Sequence, residues 1–187
     1  MSENAFELEV IAKISSVFDN SKADGSILVK KSLVKEWMSS ESVSIRGAIY
    51  DYVSDASYSK FVDPYMTFDD YFDFVVPYLL DCIKLNIDSE WAHSRYIAGH
   101  ELVGWIKDFW KKDAPKNKLN AFKESLATRF KEGDEGIKDA IINALLEHLF
   151  EDSGIRRFFS DWRDDPELKR AYEDAMLWNT KPDINPI

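Results

Sequence analysis

The sequence predicts an all-α fold, a single compact multi-helix domain of about eight or nine helices with short connections. Three observations lead there. Hydrophobic residues make up 45% and aromatic residues 14% of the 187 positions, enough to fill a core and the reverse of a disordered composition. Only 7 Gly and 6 Pro punctuate the chain, too few for the frequent tight turns of a sandwich or barrel. Apolar residues recur at three- and four-residue spacing through most of the sequence.

Taken in order, the first helix is expected from near Asn4 to Phe18, with Phe6, Val10, Ile14 and Val17 forming one stripe, and Asn20 to Gly25 reads as a turn. Ser26 can cap a second helix carrying Leu28, Leu33 and Trp37. A third, opened at Ser40 or Ser42, places Ile45, Ile49, Tyr52 and Val53 inward, and Ser54 to Met66 reads as irregular. Thr67 is a suitable N-cap for a helix reaching about Asn86, in which Phe68, Phe72, Val75, Leu79 and Ile83 recur regularly. Pro77 falls inside it, where a missing amide predicts a kink or a break. Asp88 or Ser89 is expected to open a long helix to about Lys111. A charged loop with Pro115 follows, then helices near 118–131 and 134–151 separated by Gly133. Ser153 and Asp165-Pro166 look like the starts of two short terminal helices, and the tail from Asn179 should be extended.

No linker, low-complexity run or fixed-period repeat interrupts the chain, so 1–187 reads as one domain. The start MSENAFELEV lacks the basic residues and apolar run of a signal peptide, and no stretch approaches the roughly 18 apolar residues of a membrane span. A cytoplasmic protein is the expectation. Cys82 is the sole cysteine, which removes any intramolecular disulfide and reads as an inert core residue.

The formal net charge is −10, from 24 basic and 34 acidic residues. That balance disfavours nucleic acid and anionic membrane as partners and would steer a cationic protein toward the chain. Acidity also serves solubility by itself, so charge alone selects no partner.

The tempting catalytic strings fail on spacing. His100-Glu101 begins like a zincin helix, but Gly104 stands where the second histidine must be. Glu90 and His93 have the spacing used in di-iron bundles, yet no second correctly ordered copy appears, since His148 precedes Glu151. His93 and His100, seven apart, should share a helix face. His148 falls with Ile137, Ile141, Ala144 and Leu145 and reads as a core histidine. Arg95 falls in an apolar stripe and needs a carboxylate or backbone carbonyls against it. No Gly-rich phosphate loop, Cys-x-x-Cys pair or nucleophile elbow is present. The expectation is a protein that is not an enzyme and needs no cofactor or metal.

Two stretches have the composition of a binding surface. In 61–78, aromatic residues interleave with Asp63, Asp69, Asp70 and Asp73; Asp69, Asp70 and Asp73 should point largely outward, with Tyr65 and Tyr71 as flanking anchors for a Lys- and Arg-rich surface. In 160–174, Asp161, Asp164 and Asp165 cluster around Trp162. Both are also explained by acids favoured at helix N-termini, and the first is the stronger candidate.

The block from Ser89 to Trp110, together with Leu145–Phe150 and Ile155–Phe159, resembles a group of small bacterial proteins without assigned chemistry. In size, acidity and helical make-up the chain resembles the immunity proteins of contact-dependent growth inhibition systems. That resemblance implies a bacterial protein that binds and neutralises a cognate toxin, often a basic nuclease domain, in a noncatalytic complex. It carries over no functional residues. Two alternatives stay open: a helical enzyme using His93, His100 or His148 with nearby acids, and an acidic adaptor or nucleic-acid mimic directed at a host protein. The oligomeric state is left undetermined.

Overall fold

The structure is a computed structural model that describes residues 3–87 and 89–179. It is all-α, with one two-residue parallel bridge. Packing divides it into two compact units: residues up to Cys82 with Ile87–His93, and Ile83–Asn86 with the residues from Ser94 onward.

The first unit begins with α1, Glu3–Asp24. Ile11, Ile14, Phe18 and Ser21 face the core while Phe6 is exposed, so the buried stripe sits at a different angle from the one expected. The helix also runs through the expected turn. It ends only at Gly25, whose amide bonds the Ser21 carbonyl at φ +73°, a conformation open to a residue without Cβ. Ser26 bonds Asp24 rather than capping a helix. Ile27 and Leu28 are exposed, and Val29–Lys30 (β1) pairs in parallel with Val62–Asp63 (β2).

Helix α2, Lys31–Met38, buries Val34, Trp37 and Met38. Helix α3, Val43–Ser54, is capped by Ser42, whose hydroxyl accepts from the Ile45 amide at 3.2 Å. It buries Ile45, Ile49 and Val53 against α1 and α2, and half-buried Tyr52 stacks on Phe18. The stretch expected to be irregular holds a short helix α4, Ala56–Ser59, started by the Asp55 carboxylate. Helix α5, Phe68–Leu85, opens at Thr67 as expected and is continuous through Pro77. Pro77 lies on its exposed side, where water can serve the carbonyl that a proline leaves without an amide.

The main departure is the next segment. Asp88 lies outside the described residues, and the chain from Ser89 to Ser94 is not helical. It is fastened to the first unit instead. The Ser89 hydroxyl accepts from the Trp91 amide and sits 3.2 Å from the Ser44 hydroxyl, and His93 reaches Tyr78. Gly47 on α3 permits the approach of the Trp91 carbonyl, which would collide with any Cβ there. These tertiary bonds override the helical spacing of the segment.

In the second unit, α6 (Arg95–Lys111) packs on a rod made of α8 (Glu135–Ala140), a π-helical stretch (Ile141–Leu146) and α9 (Glu147–Leu149). The Asp134 carboxylate caps the rod through the Ile137 amide at 2.8 Å. A Cβ at Gly99 would stand 2.7 Å from the Ala144 Cβ, which measures how closely α6 meets the π stretch. Helix α7, Lys116–Glu132, follows Pro115; α10, Ser153–Phe158, is capped by Asp152. A 3-10 turn, Ser160–Asp164, leads into α11, Pro166–Asn179, a helix of 14 residues that starts at Pro166 as expected. The tail beyond Asn179 lies outside the described residues. Phe159 is fully buried and meets the rings of Phe122, Phe150, Phe158 and Trp162, forming the aromatic centre of this unit.

Candidate partner-binding surface

The start of α5 sorts its acidic residues into two kinds. Phe72, Val75 and Leu79 turn to the core, which leaves Asp69 and Asp73 exposed, with Asp63 and Pro64 exposed just before the helix. Asp70 does not join them. Its carboxylate accepts from the Thr67 amide and hydroxyl at 2.7 Å each, and it pairs with Lys31 and, at 2.6 Å, with Lys35. Only 8% of that side chain is exposed. Burial pushes its pKa up, but the bonds from Lys31, Lys35 and Thr67 outweigh this and hold the carboxyl far below the ordinary range. The expectation of an outward, partner-facing Asp70 is therefore corrected: two lysines of α2 and its own helix terminus consume it.

Lys31 links this hub to the candidate anchor. Its ammonium pairs with Asp70 and also donates to the Tyr65 carbonyl at 3.2 Å. The Tyr65 carbonyl is thus held while the residue stands 72% exposed. Tyr71, expected as a second anchor, is half-buried and donates its hydroxyl to the Val53 carbonyl at 3.2 Å. Burial raises its pKa, so the phenol stays protonated and serves packing. The outward set is Asp63, Tyr65, Asp69 and Asp73. Ile27 and Leu28 are also exposed in this unit, and Leu28 escaped the sequence reading because its spacing suggested a helix face.

The second stretch is dismantled by its own geometry. Trp162 is 2% exposed, stacked edge-on against Phe159, and is a core residue rather than a surface anchor. Asp165 accepts from the Glu167 and Leu168 amides as the cap of α11 and pairs with Lys131, whose bond holds its pKa down. Asp161 is exposed but ion-paired with Lys123 at 2.7 Å, and Asp164 is exposed.

The residues weighed for chemistry fall into separate places. In the first unit, Tyr78 lies 2.8 Å from His93 Nδ1, and Tyr50 packs edge-on against His93. Burial pushes the pKa of Tyr78 and of Cys82 up, which keeps the phenol and the thiol protonated. In the second unit, His100 and His148 bring their rings to 5.0 Å. His148 is half-exposed, correcting its expected place in the core, because the wider π turn ahead of it shifts the face of the rod. His93 precedes α6 and so does not share its face with His100. Arg95 receives both predicted kinds of partner, the Ile83 carbonyl at 2.8 Å and the Asp134 carboxylate at 3.5 Å.

Among the described residues, no group of three or more His, Cys, Asp and Glu side chains is arranged to hold a metal ion, and no helix is long and apolar enough to cross a membrane. No family model, curated protein or solved structure matches the chain.

Proposed function

We propose that the chain is an immunity protein that binds and neutralises a cognate bacterial toxin, a basic nuclease domain, through a noncatalytic complex centred on Tyr65. The observation that carries this reading is Tyr65, a residue 72% exposed on a backbone held by Lys31 and accompanied by exposed Asp63, Asp69 and Asp73. An aromatic anchor whose main chain is fixed loses little freedom on binding, and carboxylates around it favour Lys and Arg on the partner. A nuclease must carry cationic surface for its substrate, and the net charge of −10 would steer that surface here. Desolvation of the ring would supply affinity, while the acids would chiefly set the association rate. In this reading the protein acts in the cytoplasm, without cofactor or catalysis.

Co-expression with a candidate toxic nuclease domain tests the reading. Growth should be rescued by the wild type, and Tyr65→Ala should weaken the purified complex by about tenfold or more, in the range of an interface hot spot. Asp69→Lys with Asp73→Lys should slow association, with the largest effect at low salt. Rescue and binding that survive all three substitutions would remove this surface from consideration. Capture of a host protein in place of a toxin would favour the adaptor reading.

A further inference from the structure

The two histidines of the second unit are 48 positions apart in sequence, so no spacing motif joins them. The fold does. His100 on α6 and His148 on α9 place their ring centres 5.0 Å apart, tilted by 51°. Two imidazoles sharing one ion, each at a metal–nitrogen distance of about 2.0–2.1 Å in tetrahedral geometry, have ring centres about 5 Å apart.

A second observation concerns His148 alone. Its Nδ1 faces Glu151 Oε1 at 3.5 Å, and the other Glu151 oxygen is held by Lys107 at 2.7 Å. A carboxylate on one ring nitrogen is the arrangement that fixes a metal-ligating histidine, leaving Nε2 for the ion. Gly104, one turn beyond His100 on α6, is exposed, and a Cβ there would meet nothing within 4 Å. The surface beside the pair is therefore open to an ion and its waters.

We propose that His100 and His148 form a two-imidazole clamp for a divalent transition metal ion of the zinc type, with His148 oriented by Glu151 and Lys107. Water fills the remaining positions. The site is independent of the Tyr65 surface.

The test uses the untagged full chain titrated with Zn²⁺ alone by calorimetry. One ion should bind per chain. His100→Gln and His148→Gln should each weaken binding at least tenfold, and Glu151→Gln by about tenfold, as for loss of a supporting carboxylate. Circular dichroism should show unchanged helicity, since all three side chains are half-exposed or exposed. Histidine ring resonances give an independent readout: Zn²⁺ should shift those of His100 and His148 and leave His93 in place. Absence of binding up to millimolar Zn²⁺, undiminished affinity in the glutamine variants, or a shift confined to His93 would each overturn the proposal.

Discussion

A single carboxylate shows how far a side chain's identity falls short of its role. Asp63, Asp69, Asp70 and Asp73 look alike in the sequence, yet Asp70 is enclosed by Lys31, Lys35 and Thr67 while the other three are exposed. Helical spacing places Asp70 near a boundary between faces, and only the position of α2 decides which way it is used. Trp162 and His148 leave their expected places for a local reason instead, since a 3-10 turn and a π stretch each change the angle between successive side chains. Asp70 carries a pH signature. Its folded pKa is depressed, so its stabilisation is complete above the unfolded carboxyl pKa of about 4 and is lost as pH falls below it. Asp70→Asn should destabilise the protein by about 1–3 kcal/mol at neutral pH, the range for losing charged hydrogen bonds. Urea unfolding at a series of pH values should show the difference from wild type shrinking below pH 4. A gap constant across that range would mean that Asp70 is not ionised by its lysines.

The helices themselves were largely legible, and the segments between them less so. Periodicity placed the start of α3 at Ser40 or Ser42, of α5 at Thr67 and of the rod near Asp134, and the caps are found at Ser42, Thr67 and Asp134, because a cap is a local device written within four residues. The stretch from Ser89 to Ser94 carried helical spacing too, but its fate rests on Gly47 and Tyr78, more than ten residues away in the chain. Gly47→Ala puts a methyl group against the Trp91 carbonyl and the Tyr78 hydroxyl. It should lower stability by about 1–3 kcal/mol through overpacking, read as a lower midpoint in urea. It should also break the contact between Tyr78 and His93, visible in the His93 ring resonances. The glycine is needed because a backbone passes there, which no local pattern announces.

At the scale of the whole molecule, composition was sufficient to give the all-α class, and insufficient to show two packing units. Their division falls between Cys82 and Ile83, inside α5, and again between Asn86 and Ile87 and between His93 and Ser94. A boundary drawn through a helix leaves no shift in composition, so the sequence reads as continuous. Of the candidate surface, Asp63, Tyr65, Asp69 and Asp73 were legible as an interleaving of aromatic and acidic residues. The lysine that fixes Tyr65 was not, since Lys31 lies 34 positions earlier.

Cys82 gives the first unit an internal clock. It is the protein's sole thiol, 1% exposed, with its ionisation further suppressed by burial. A thiol-specific reagent can reach it only when the surrounding helices part, so the labelling rate, divided by that of a free cysteine, reports how often this unit opens. In native buffer the reaction should be slowed by orders of magnitude, and Gly47→Ala should quicken it while the fold persists. The protein thus reports its own breathing without any introduced probe.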